Sequence, residues 1–244
     1  MNHMMSTALT ASQLRSTCDL TTGQVDQMHA LLSRYFDGVT RAQFEADLGE
    51  KNWAILIERA GRLVGFTTML SYETTFHGEP ISVIYSGDTI VAPDAWNSSA
   101  LPRTWIESVA KLRRAYPRGE YIWLLITSGF RTYRMLPLFW RRFHPRFNDQ
   151  QSAASVRLLE HLARERFGDQ FDADRGIVRL RHPQRLHGEL AAVPDSRVRD
   201  PHVAFFLSKN PGHARGDELV CVTELAPQNL TPAGRRMASG VPQW

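Results

Sequence analysis

The stretch Ile81 to Ile106, ISVIYSGDTIVAPDAWNSSALPRTWI, constrains this chain more than any other. An apolar, β-branched run passes through a proline-containing loop and opens a long helix. A strand that ends where a helix begins leaves unpaired backbone N–H groups pointing outward with the helix dipole behind them, an arrangement that can hold a phosphate. With a period of two, Ile81, Val83, Tyr85, Gly87, Thr89 and Val91 share one face of the strand. Ser82, Ile84, Ser86, Asp88 and Ile90 fall on the other. The polar trio Ser86-Gly87-Asp88 interrupts an otherwise hydrophobic strand. It reads either as a β-bulge or strand end, or as the wall of a cleft that Asp88 faces.

The preceding chain supplies two helices and a hairpin. Val25, Met28, Leu31, Leu32 and Tyr35 predict a helix over Thr22 to Phe36, capped by Thr21 or Thr22 and ended by Gly38. Thr40-Arg41-Ala42-Gln43 has the form of a capping box and opens a second, with Phe44 and Leu48 on its apolar side. Trp53 to Ala60 and Arg62 to Tyr72 read as strands around the Ala60-Gly61 turn. After the central stretch, Leu101, Trp105, Val109 and Leu112 form the buried stripe of a helix over Ala100 to Tyr116, with Pro102 in its first turn. Tyr121 to Thr127 is nearly all apolar and reads as a strand buried on both faces.

A helix from Arg131 to Phe143, interrupted at Pro137, and another over Ser152 to Phe167 follow. Asp169 to Pro201 is polar and mixed, with a short strand candidate at Ile177 to Leu180. Val203 to Ser208 and Glu218 to Leu225 are read as closing strands. Residues 1–20 and 227–244 read as tails around a single domain, 21–226.

A chain of 244 residues, 43% hydrophobic, can bury a full core. No run reaches the ~18 apolar residues of a membrane span, and the first twenty residues lack the pattern of a secretory signal. Cys18 and Cys221 match no metal-ligand spacing, nor do the nine histidines, so no metal is expected and a reducing, cytoplasmic setting is. The net charge of +4 is unevenly spread: −5 over residues 1–102, +8 over 103–146 and +1 beyond. A positive segment beside a candidate phosphate site suits a polyanionic partner. Aromatics and arginines interleave over residues 103–146, a pattern that single-stranded nucleic-acid sites share. Nucleic acid is not expected, because the flanking segment is acidic and no recognition signature is present.

This order of elements, with LVGFTTM followed by SGDTIVAPDAWNSSALPRTWI, resembles the GCN5-related N-acetyltransferase (GNAT) superfamily over residues 15–147 and 202–226. The resemblance implies an α/β (α+β) fold: a mixed, mostly antiparallel central sheet with helices on both faces. Residues 147–201 would be an insertion. It also implies that two adjacent strands splay apart around an acyl-thioester donor, acyl-CoA or acyl-phosphopantetheine on an acyl carrier protein. The activity implied is N-acyl transfer to a small-molecule or peptide amine; the alternative is an inactive GNAT-like sensor of an acyl-thioester or another anionic metabolite. A homodimer is left open.

Val91-Ala92-Pro93 fits the family's strand end, but Trp96, Ser99 and Leu101 stand where its arginine and glycines would be. Asn97, Ser98 and Ser99 can add donors for phosphate, with Arg103, Arg131 and Arg134 as further contacts. Backbone N–H groups near Ile90 and Val91 would hold the thioester carbonyl. Asp88, the only carboxylate within the central strand from Ile81 to Val91, is the expected base. Tyr133 is the expected acid for the departing thiolate, and Tyr85 a candidate for the acceptor pocket.

Overall fold

A computed structural model describes residues 10–148 and 152–240. The chain runs β1 (Thr10–Ser16), α1 (Thr22–Tyr35), β2 (Phe36–Asp37), α2 (Arg41–Gly49), β3 (Trp53–Arg59), β4 (Arg62–Phe76) and β5 (Glu79–Val91). Then come α3 (Ala100–Ala115), β6 (Glu120–Thr127), α4 (Phe130–Tyr133), α5 (Met135–Phe139) and α6 (Ala153–Phe167). The remainder is β7 (Phe171–Asp172), β8 (Ile177–Val178), β9 (Arg185–Leu186), α7 (Gly188–Ala191), α8 (Asp195–Val198), α9 (Pro201–Lys209), β10 (Glu218–Glu224) and α10 (Pro232–Met237). Residues 1–9 and 241–244 of the expected tails, and 149–151 of the expected insertion, lie outside the described residues.

Eight strands form one sheet in the order β1-β3-β4-β5-β6-β10-β8-β7. Every described pairing in it is antiparallel except β5 with β6. The sheet is mixed, mostly antiparallel and covered on both faces, as the resemblance implies. On one face α3 brings Trp105 against Trp123 of β6 and Trp140, with ring centroids 4.3 Å and 5.6 Å from Trp105. On the other, α1 and α2 bury Met28, Leu32, Phe44 and Leu48 against Leu56 and Phe66, and α6 buries Leu159 and Leu162 against Val83 and Val220. The caps are those the sequence announces. Thr21 and Gln24 complete a reciprocal box on α1. Thr40 caps α2 alone, because the Gln43 side chain donates to Asp47 instead.

Several expectations are corrected. Thr10–Ser16, assigned to a tail, pairs with β3 along its whole length and so covers an otherwise bare sheet edge. Val203–Ser208 is not a strand but part of α9. Asp200 accepts from the His202 N–H at 3.0 Å, Pro201 fits the first turn, and Val203 and Phe206 are buried one turn apart. The helix expected from Arg131 to Phe143 is two short ones meeting at Arg134, and the backbone is extended again at Trp140. Residues 227–238 are packed rather than loose. Asn229 is buried and donates to the Arg142 and Glu224 carbonyls, and α10 is capped by Thr231.

Candidate active site

The SGD trio resolves into three separate jobs. Pairing of β5 with β6 runs from Ile81↔Glu120 to Ser86↔Leu125 and stops. Ser86 marks that last step: its hydroxyl accepts from the Trp123 indole N–H at 2.9 Å. Beyond it β5 stays with β4, ending Ile90↔Phe66 and Val91↔Gly65, while β6 stays with β10, ending Thr127↔Leu219. The two parallel strands therefore diverge, and a gap opens between Gly87–Val91 and Leu125–Gly129.

At Gly87 and Asp88 the β4–β5 register slips, Thr67 opposing Thr89 but Met69 opposing Ser86. This bulge corrects the strict alternation read from the sequence. Tyr85 and Ile90 belong to the two apolar clusters on the α1–α2–α6 face, whereas Ile84 and Val91 pack on the α3 face. Asp88 is thus carried to the same cavity as Tyr85 instead of the opposite face. Gly87 is required by close approach: a Cβ there would lie 2.6 Å from Thr68 Oγ1 and 2.7 Å from Lys51 Cε.

The gap leads into a cavity of about 740 Å³. Its walls include Lys51, Tyr85, Asp88, Val91, Trp96, Ser128, Arg131, Arg166, Gln184 and Glu218. Segments from the polar stretch 169–201 close one side. β9 pairs with β2, and the His187 N–H donates to the Tyr35 carbonyl at 2.8 Å, so this stretch spans from the α1–α2 connection to the rim of β10. Gly216 makes room for it at φ +91°, where a Cβ would lie 2.9 Å from the Gln184 carbonyl oxygen.

Asp47, Glu50, Asp88 and Glu218 line this cavity, and the last two stand on either side of the gap. Asp88, half-buried, is pushed up to about 6 by desolvation, with Lys51 opposing, Asp47 reinforcing and the Gln184 side chain hydrogen-bonding the charged form. Glu218, at the first position of β10, is pushed up to about 8, again mainly by desolvation, against hydrogen bonds from the Ser128 side chain and backbone and with the Asp88 charge adding to the rise. Lys51 is buried, donates to the Asp47 carbonyl at 3.0 Å and lies 5.4 Å from the Tyr85 ring centre. Burial lowers its ammonium below the ordinary lysine value, and Asp88 opposes that. Arg166 approaches the same ring at 5.2 Å while paired to Glu50.

The expected site residues divide sharply. Asp88, Tyr85, Ile90, Val91, Arg131 and Arg134 line the cavity. Because Ala92 N–H bonds the Val64 carbonyl at 2.8 Å, the Val91 N–H points the other way, into the gap. Its carbonyl, on that same side, accepts from the Trp96 indole at 2.8 Å. Arg131 stacks 4.2 Å over Trp96 and donates to the Leu190 carbonyl. Arg134 is tied to Asp200 at 3.0 Å.

Tyr133 is a correction. It is fully buried, its hydroxyl donates to the Pro145 carbonyl at 3.2 Å, and its ring packs on Phe143, Phe205 and Phe206. Burial pushes its hydroxyl far above the ordinary tyrosine value, as it does that of Tyr85. Asn97, Ser98, Ser99 and Arg103 are likewise outside the cavity wall. Ser98 Oγ accepts from the Ala100 N–H and Pro102 has none, so little of the α3 N-terminus is left to hold an anion.

Residues missed by the sequence reading are Lys51, Trp96, Arg166, Gln184 and, above all, Glu218. A lysine at a helix–strand junction and a glutamate opening an apolar strand carry no periodic signal. Among the described residues no group of three or more His, Cys, Asp or Glu could hold a metal ion, and no helix is long and apolar enough to cross a membrane.

Residues 17–134 match a family model described as an acetyltransferase (GNAT) domain. No curated protein matches the chain. Among solved structures, a probable N-acyltransferase from Enterococcus faecalis V583 is similar at 13% identity, covering 55% of this chain and 33% of that one, with a TM-score of 0.41. This chain thus spans about a third of that protein's length. The GNAT family N-acetyltransferase YhbS of Escherichia coli, solved with CoA, is similar at 14% identity over 57% and 72%, TM-score 0.38. An agmatine N-acetyltransferase in apo form is similar at 12% over 59% and 90%, TM-score 0.40.

Proposed function

We propose that this protein is an N-acyltransferase that moves an acyl group from an acyl-CoA thioester to an amine held in the cavity. The observation that carries the reading is the divergence of β5 from β6 after Ser86, with the Val91 N–H and the Asp88 carboxyl facing the opening. An amine arrives as an ammonium ion. Asp88, ionised above about pH 6, removes its proton, and the free amine attacks the thioester carbonyl. The Val91 N–H stabilises the oxyanion that forms. Lys51 keeps Asp88 from rising further, and Arg131 on Trp96 lies on the path to the donor's phosphates. The acceptor is a small molecule or a peptide amine, and the segment 169–201 forms its enclosing wall.

A second reading of the donor, an acyl carrier protein, is favoured by one observation: the start of α3 has few free N–H groups for a diphosphate. We place the protein in the cytoplasm, where either donor is made. Thermal melting with CoA and with acyl-CoAs from acetyl to palmitoyl tests both readings. A ligand at about 100 times its dissociation constant stabilises by about 2.7 kcal/mol. A shift that grows with chain length supports acyl-CoA. No shift with any of them, followed by a shift with an acyl carrier protein, transfers the reading to that donor; no shift with either removes it.

A further inference from the structure

We propose that Glu218 is the proton donor to the departing thiolate, the role that the family resemblance put on Tyr133. This rests on the acyltransferase reading. Tyr133 is disqualified by position: its hydroxyl is buried and engaged with Pro145. Glu218 has the opposite situation. The register Leu219↔Thr127 sets it across from Ser128, at the point where β6 leaves the gap. It lines the cavity from the β6–β10 side, while Asp88 and the Val91 N–H face it from β5. A thioester whose carbonyl meets the Val91 N–H has its sulfur inside this gap, between the two carboxyls.

The surroundings hold Glu218 in the form an acid needs. Burial does so against Ser128, which directs its hydroxyl and its backbone N–H at the carboxyl and so favours the charged form; His213 hydrogen-bonds the Ser128 backbone in turn. The other titratable groups acting on it are Asp88 and Tyr85 from β5 and Asp217 from its own loop; the cations nearby are Arg179, paired with Asp217 at 3.4 Å, and Lys51, Arg131 and Arg166 on the same cavity wall. Two anions and a desolvated setting keep the carboxyl protonated at neutral pH, whereas Asp88, with Lys51 beside it, ionises earlier. One site thus holds a base and an acid at the same pH.

The step balances. The amine proton passes to Asp88, the N–C bond forms as the C–S bond breaks, and the electron pair leaves on sulfur. The Glu218 proton goes to that sulfur, releasing the thiol. The second proton that the nitrogen loses as the amide forms restores Glu218 through solvent, and Asp88 gives its own proton to solvent, so the net change is ammonium plus thioester to amide, thiol and one free proton.

The test compares wild type, Glu218→Gln and Ser128→Ala with two acetyl donors: acetyl-CoA, whose alkyl thiolate needs a proton, and an aryl thioester, whose thiolate leaves unaided. Glu218→Gln is expected to lower kcat with acetyl-CoA by about 10²-fold or more and with the aryl thioester by only a few-fold. The fall in wild-type activity above about pH 8 is expected to disappear in this variant. Ser128→Ala, which keeps the acid, is expected to move that fall to higher pH because a hydrogen bond favouring the charged form is gone. Equal losses with both donors, or an unchanged alkaline limb, overturn the assignment alone. A wild type that turns over neither donor, nor an acetylated acyl carrier protein, overturns the acyltransferase reading and the assignment together.

Discussion

Replacing Asp88 by Asn should make this protein more stable while it makes it slower. The carboxyl ionises near 3.8 in an open chain and near 6 in the fold. The folded value is the higher one, so the unfolded chain gives up its proton first. Stability therefore falls as pH rises from about 4 to about 6 and stays lower above that. Each pH step costs about 1.4 kcal/mol, about 3 kcal/mol over the whole interval. Solvent reaching a half-buried carboxyl reduces this to about 1–2 kcal/mol. Asparagine removes the cost and keeps an acceptor for Gln184. At pH 8 the variant should melt about 2–8 °C above wild type, given roughly 2–4 °C per kcal/mol for a chain of this size. At pH 4 the two should coincide. Calorimetric melts of both proteins at the two pH values measure this directly. A variant destabilised equally at both would show that Asp88 is a structural hydrogen-bonding group and refute the argument from its burial.

Tyr133→Phe should leave kcat within about twofold and cost about 1 kcal/mol of stability, the worth of one buried hydrogen bond, read from urea unfolding beside steady-state rates. A hundredfold loss of kcat would restore the tyrosine to catalysis. Gly87→Ala should cost about 1–3 kcal/mol by pushing on Thr68 and Lys51, visible as a lower melting temperature; an unchanged melt would mean that the bulge has room to spare. Lys51→Met removes the charge that holds Asp88 down. The acid limb of the pH–rate profile should then move up by roughly one pH unit, and a downward move would contradict the electrostatics of the cavity floor.

The fold was legible wherever one face of an element is apolar and the ends are marked. Thr21 and Thr40 announce α1 and α2, Ala60-Gly61 the β3–β4 hairpin, and the Leu101-Trp105-Val109-Leu112 stripe is the buried side of α3. The errors lie where the two periods cannot be told apart. Val203 to Ser208 is a short run, apolar on nearly every side, and only the Asp200-Pro201 start separates helix from strand. β1 mixes polar and apolar residues because it is an edge strand, half in solvent.

The site was legible in part. Asp88 stood out as the lone acid of an apolar strand, but strict alternation placed it on the wrong face, since a bulge is invisible to a period count. Glu218 and Lys51 come from opposite ends of the chain. Their meeting at the gap is a product of the order β6-β10 and of the α2–β3 junction, not of any local pattern.

If the gap between β5 and β6 is the thioester site, CoA binds there. Titrating CoA into isotope-labelled protein and following the backbone amides tests this most directly. Shifts concentrated on Gly87–Val91 and Leu125–Gly129, saturating at one CoA per chain, are the expected result. Saturable binding with the shifts elsewhere, and those two segments silent, would contradict it.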